Sequence, residues 1–254
     1  MRYFLDISYK GTHYAGWQKQ MNANTVQEEL EKALSMALGN ETPSTGAGRT
    51  DTGVHARQLM VHFDSEQELN HSFVHSLNGI LPYDIAVNQL LIPQNPQLHA
   101  RFDAIARRYE YRIARKKSPL DWEFAMWVRY PLNLEKMNAA ARLLHNYSEF
   151  GAFCKAHGAN LTNICTISRA LWEAQPDGSL MFTIEADRFL RGMVRAIVGT
   201  MLWVGGEKIT VEEFESIIQS QNRSKAGPAA DAKGLSLVEV KYPEGSFIPV
   251  ESSL

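Results

Sequence analysis

Residues 2–9, Arg-Tyr-Phe-Leu-Asp-Ile-Ser-Tyr, set Tyr3, Leu5, Ile7 and Tyr9 against Phe4, Asp6 and Ser8. A period of two predicts a strand. At Thr25 the period changes. Val26, Leu30, Ala33 or Leu34 and Ala37 recur at helical spacing, Thr25 with Glu28 forms a capping box, and Gly39 ends the helix. A strand near 58–63, a helix near 69–79, the Leu81-Pro82 stop and a strand near 85–91 follow. The first half therefore reads as α+β.

Pro93 and Pro96 mark a connector into Arg107-Arg108-Tyr109-Glu110-Tyr111-Arg112-Ile113, which alternates as a strand with Tyr109, Tyr111 and Ile113 on one face. Asn133 caps a helix near 134–145, and residues 164–174 and 179–187 form a hairpin around Gln175-Pro176-Asp177-Gly178. A helix at 189–204, a second one from the Thr210/Glu213 capping box and a strand from Leu235 complete the pattern. Both halves mix strands and helices, with no sequence repeat and no low-complexity segment.

A chain of 254 residues is long enough for one large domain or two of about 100–150 residues, each with a real core. No apolar run approaches the roughly 18 residues of a membrane span, and the N-terminus lacks a signal-peptide core, so a cytoplasmic location is expected. The two cysteines, Cys154 and Cys165, fit a reducing compartment. With His157 they offer three ligands where a structural zinc site usually needs four, so no metal is expected. The net charge is only −2, but its distribution is uneven: between Arg101 and Lys117 seven Arg or Lys face only Asp103 and Glu110, a locally basic face on a near-neutral chain.

The stretch with most chemistry is 46–56, Gly-Ala-Gly-Arg-Thr-Asp-Thr-Gly-Val-His-Ala. Its one carboxylate, Asp51, lies among glycines, with Arg49 two residues before it and His55 four after. An acid beside a fixed cation stays ionised, as a nucleophile must. By itself the stretch is equally a polar turn with a solvated Asp. A second cationic group, Arg188, Arg191 and Arg195, is spaced by three and four along the apolar helix read at 189–204 and so shares a face.

The run from Gly48 through Thr50, Asp51, Gly53, Val54 and His55 to Val61-His62-Phe63 resembles the catalytic motif of the tRNA pseudouridine synthase I family. Gly11-Thr12-x-Tyr14-x-Gly16-Trp17-Gln18-x-Gln20 with Thr25-Val26-Gln27 is similar to its N-terminal signature. His99-Ala100-Arg101-Phe102-Asp103-Ala104 followed by Arg107-Arg108-Tyr109-x-Tyr111 resembles the central one, and Phe189-Leu190-x-x-Met193-Val194-Arg195-x-Ile197-Val198-Gly199 the C-terminal one. These span nearly the whole chain in the family's order. Arg191-Gly192 stands where the family has Tyr or His and then His, and the segment after His55 also departs, so no role is carried to Arg57.

The resemblance implies an α+β fold of two related, ferredoxin-like subdomains, 1–103 with the Asp loop and 104–254 with the Tyr strand and Arg helix. Their sheets would join into one mostly antiparallel platform with helices on one side and a central active-site cleft. It implies an isomerase that converts uridine to pseudouridine in the anticodon stem-loop of tRNA, at uridines 38, 39 and 40, without cofactor or metal, acting as a homodimer. Asp51 would be the nucleophile, Arg195 the cation that pairs with it, and Tyr109 the ring that packs on the uracil. Arg49, His55 and Arg107 would contact substrate, with His55 left out of catalysis. Two rival readings remain: a catalytically silent RNA-binding or folding module, and an aspartic protease on the strength of Asp51-Thr52-Gly53. The second needs a paired carboxylate, and the chain has no other Asp-Thr/Ser-Gly. Gly11–Trp17 is no phosphate loop, because Trp17-Gln18 stands where Lys-Ser/Thr is required.

Overall fold

A computed structural model describes residues 1–155 and 162–250. In chain order its strands and α-helices are β1 (Arg2–Tyr9), α1 (Val26–Leu38), β2 (Ser44–Gly46), β3 (His55–Asp64), α2 (Ser72–Ile80), β4 (Ile85–Pro93), β5 (Ala106–Ala114), β6 (Met126–Trp127), α3 (Leu134–Leu143), β7 (Ile167–Ala174), β8 (Leu180–Ala186), α4 (Met193–Gly205), α5 (Val211–Ser220), β9 (Leu235–Lys241) and β10 (Phe247–Pro249). The fold is α+β, with all but one of its named strand pairings antiparallel; β6 runs parallel to β5. Two compact units divide the chain. The first is Met1–Ile105 together with the chain from Leu237 onward; the second is Ala106–Ser236.

In the first unit β1 is the central strand, antiparallel to β3 on one side and β4 on the other, with β2 added to β3 and β10 to β4. Tyr3, Leu5 and Ile7 are fully buried, as the alternation predicts. Phe4, which the alternation puts with Asp6 and Ser8, is fully buried as well. The C-terminal segment covers it: the rings of Tyr242 and Phe247 meet Phe4 edge-on at 6.0 and 5.0 Å. That segment is tied down by the Tyr242 hydroxyl donating to Ala100 C=O (2.5 Å) and by β10 pairing with β4. This is why residues that follow the second unit in sequence pack in the first. Helix α1 begins where Thr25 Oγ1 accepts from the Glu28 N–H and buries Val26, Leu30, Ala33, Leu34 and Leu38.

In the second unit β5, β8 and β7 form an antiparallel meander, and β5 alternates with Arg107, Tyr109, Tyr111 and Ile113 buried. Trp172 of β7 stacks on Phe182 of β8 at 4.8 Å. Each such side chain fully buried contributes about 1.5–3 kcal/mol. Asn133 caps α3 and a reciprocal Thr210/Glu213 box caps α5. Helix α4 is apolar almost all round and mostly buried, the pattern of a core helix. It starts at Met193, four residues later than its sequence suggests. Gly192 sits at φ +69°, in the left-handed region, so the helix cannot run back through it. Arg188 and Arg191 therefore lie before the helix and share no face with Arg195; Arg188 Nη1 instead donates to Thr162 Oγ1 at 3.4 Å. His157, the third member of the cluster weighed for zinc, lies outside the described residues.

Candidate active site

In the first unit Asp51 occupies the turn between β2 and β3, closed by the Val54 N–H donating to Asp51 C=O at 3.1 Å. The N-terminal segment braces this turn on both sides of the carboxylate. Trp17 N–H donates to Thr50 C=O (3.2 Å), Gly53 N–H donates to Tyr14 C=O (3.3 Å), and the Tyr9 hydroxyl shares a buried 2.8 Å hydrogen bond with Thr50 Oγ1. Gly11 N–H donates to His55 Nδ1 at 3.0 Å. The approach is close enough that a Cβ on Gly11 would stand 2.0 Å from Val54 O. The Gly11–Trp17 signature is thus the clamp of the aspartate turn.

Asp51 itself is half-buried, between buried Thr50 and exposed Thr52. The bonds of the clamp fix the backbone from which the Asp51 side chain projects, and a fixed backbone is a first requirement of the preorganisation that electrostatic or nucleophilic catalysis uses. Arg49 is exposed beside it. His55 is only 3 % exposed, and its Nδ1, as an acceptor, carries no proton.

In the second unit Tyr109 lies mid-strand on β5, paired in register with Ile184, and is 8 % exposed. The ring of Phe189 meets it edge-on at 5.2 Å and 89°. Arg107, on the same face two residues earlier, is equally well buried, and its Nη1 donates to Asp187 C=O at 2.8 Å, tying β5 to the end of β8. Arg195, in the first turn of α4, is half-buried. Its Nε donates to Ala230 C=O at 2.8 Å while Ala230 N–H donates back to Arg195 C=O at 2.9 Å. The neighbouring Tyr111 hydroxyl donates to Asp231 C=O at 2.8 Å, and burial raises its pKa against the opposing influence of the Arg195 charge. The Nε bond ties the Arg195 guanidinium to the 226–231 loop, and its planar, permanently charged head suits a carboxylate or phosphate partner.

The six residues singled out in the sequence thus divide evenly: Arg49, Asp51 and His55 in the first unit, Arg107, Tyr109 and Arg195 in the second. Sequence reasoning did not assign Phe189, the Tyr9–Thr50 pair or the 226–231 loop that holds Arg195. Phe189 stood in the C-terminal signature, but nothing in the pattern tells which ring it packs on. Among the described residues no group of three or more His, Cys, Asp or Glu is placed to hold a metal ion. No helix among them is long and apolar enough to cross a membrane.

A family model described as tRNA pseudouridine synthase matches residues 7–103 and 140–243, segments that include Asp51 and Arg195. The chain is 48% identical over 248 residues to tRNA pseudouridine synthase A of Bacteroides fragilis, covering 97% of this chain and 98% of that protein. It is 44% identical over 252 residues to the protein of the same name from Parabacteroides distasonis, with 98% and 99% covered. With that of Porphyromonas gingivalis it shares 41% identity over 251 residues, covering 97% and 99%.

Proposed function

The chain belongs to the tRNA pseudouridine synthase family, whose members are isomerases, and from that premise we propose that it converts uridines 38, 39 and 40 in the anticodon stem-loop of tRNA, with Asp51 as nucleophile. The reaction breaks the N1–C1′ bond, turns the uracil and rejoins C1′ to C5. The proton leaves C5 and N1 gains one, so the balance is redox-neutral and no cofactor is called for. Asp51 supplies the electron pair, attacking sugar or base as the glycosidic bond breaks. Tyr109 packs its ring on the uracil, and Arg195 supplies the positive charge that pairs with the nucleophile and orients it. Arg49 contacts the RNA near the base that must leave its stack. His55 and Arg107 complete the substrate-binding set with Arg49, each placed by the backbone group it bonds. The enzyme works as a cytoplasmic homodimer.

The observation that carries this reading is the braced turn at Asp51, a half-buried carboxylate within the family-matching segment held from both sides by residues 9–17. Mapping pseudouridine in tRNA incubated with and without the protein tests it. Conversion at the anticodon-arm uridines is expected with the wild type. With Asp51→Asn, which keeps size and most hydrogen bonding, turnover is expected to drop by roughly 10⁴-fold or more while tRNA binding stays largely intact. Pseudouridine formation by a sequence-verified Asp51→Asn protein within about a hundredfold of the wild-type rate would remove Asp51 from the role.

A further inference from the structure

The cation-rich stretch that begins at Arg101 runs on into an excursion of the second unit, residues 115–130, that leaves β5 and returns as β6. Its base is fastened. Val128 N–H donates to Ala114 C=O at 3.1 Å, Arg115 Nη1 donates to Val128 C=O at 2.9 Å, and the Arg112 guanidinium bridges Asp121 and Asp177. Ser118 Oγ donates to Asp121 at 2.7 Å. Its tip is open: Lys116, Lys117 and Pro119 are exposed and Leu120 is 92 % exposed. Trp122 is half exposed, with Lys233 Nζ 3.5 Å from its ring centroid, and the Arg129 guanidinium lies 4.2 Å over Trp127.

We propose that this excursion is a tRNA-binding finger, in which Lys116 and Lys117 contact backbone phosphates and Trp122 offers a face to an unpaired base or ribose. The inference rests on the tRNA-directed function above. Charge selects the partner. Arg115, Lys116, Lys117, Arg129 and Lys233 share the surface with Asp121, which is engaged by Arg112 and Ser118, with Asp231, which is paired to Lys233, and with Glu123. On a chain of net charge −2 this is a local excess of cations interleaved with aromatic rings, the composition that binds single-stranded or flexible nucleic acid. A two-fold contact between copies of the chain would gather the same cations around its axis, whereas an RNA backbone neutralises them.

The test measures tRNA affinity across a salt series for the wild type, Lys116→Ala/Lys117→Ala and Trp122→Ala, with pseudouridine formation followed in single turnover at saturating tRNA. For the double variant, affinity at low salt is expected to fall about tenfold and the slope of log K against log salt to become shallower by about two. For Trp122→Ala, affinity is expected to fall roughly 5- to 30-fold with the slope unchanged. In both, the single-turnover rate is expected to stay at the wild-type value, which a folding defect would not leave in place. Wild-type affinity and slope in both variants overturns the finger; if sedimentation of the same proteins without tRNA then shows a changed oligomeric state, the surface is a contact between copies. Pseudouridine formation by the wild type reports separately on the proposed function. If it is present while the slopes do not move, the finger falls and the function stands; if it is absent while the slopes shift, the reverse holds.

Discussion

Tyr109 shows how much of a side chain's role depends on its immediate packing. Its position on an alternating strand makes it a core residue by default, and at 8 % exposure, with Phe189 edge-on at 5.2 Å, it is held like one. A free tyrosine pKa near ~10 makes the hydroxyl a poor base at neutral pH, so the ring is the part expected to matter to the substrate. Tyr109→Phe keeps the ring and its contact with Phe189; Tyr109→Leu removes both. Tyr109→Phe is therefore expected to bind tRNA as the wild type does and to release tritium from C5-labelled uridine at a near-normal single-turnover rate. Tyr109→Leu is expected to lose about 1–3 kcal/mol of binding. Release that stalls in the Phe variant despite normal binding would move the C5 proton onto the hydroxyl. Equal, wild-type release by all three proteins would leave Tyr109 a packing residue of β5 and nothing more.

Helix α4 and the 226–231 loop form one structural unit, and Gly199 is where they touch. A Cβ there would stand 1.8 Å from Pro228 O, and one on Gly227 would meet Gly199 O at 2.9 Å. The same contact is sealed by Gly227 N–H donating to the buried Thr200 hydroxyl at 2.9 Å and by the exchange of bonds between Arg195 and Ala230. Gly199→Ala must push the loop away, and is expected to cost about 2–4 kcal/mol of stability, read as a lowered urea midpoint. Because the loop also holds Arg195 Nε, activity of the folded fraction should fall as well, and an unchanged midpoint would mean that the loop moves freely. None of this contact was legible from the sequence, although the glycine itself was. Periodicity and caps found β1, α1, β5, the β7/β8 hairpin, α3 and α5 because each has enough residues to display its period or a polar residue to announce its start. Strands β2, β6 and β10, of two or three residues, are too short to carry one. The late start of α4 and the burial of Phe4 depend on a left-handed glycine and a distant C-terminal segment, which local pattern does not encode. Asp51, Tyr109 and Arg195 could be singled out by motif, but the clamp of residues 9–17 on the aspartate turn is made of bonds between segments some 40 residues apart, Tyr9 to Thr50 among them.

The first unit is closed by groups drawn from its whole length, and their titration sets how the molecule responds to acid. His62 of β3 is 6 % exposed; its Nδ1 accepts from Ala100 N–H at 3.1 Å, and its ring packs against Phe4 and His99 at 5.6 and 4.8 Å. His99 Nδ1 in turn accepts from Arg101 and Phe102 N–H. Both rings act as acceptors, so both must be neutral at those nitrogens. Burial, then the charge of Arg2, lowers both pKa values, that of His62 to about 4, while Asp64 acts the other way on His62 and Asp103 on His99. A histidine whose pKa is lower folded than unfolded contributes stability that is complete above the unfolded value near ~6.5. It is lost as pH falls toward the folded value, because the unfolded chain takes up the proton first. Carboxylates act in a different window. The Arg2 hydrogen bond lowers the pKa of Asp64, so its contribution is lost only as pH falls below the ordinary range near ~4. Between pH 6.5 and about 4 the loss is therefore chiefly the histidines', up to about 3 kcal/mol for His62. His62→Asn keeps an acceptor that cannot charge. It is expected to be less stable than the wild type at pH 8, where only packing is lost, and to show a flatter fall in urea midpoint between pH 6.5 and 4. Parallel pH profiles for the two proteins would put the acid sensitivity elsewhere. A flattened profile would mean that the unit carrying Asp51 loses stability below neutral pH because His62 must stay neutral where its Nδ1 accepts from Ala100 N–H and its ring packs on Phe4.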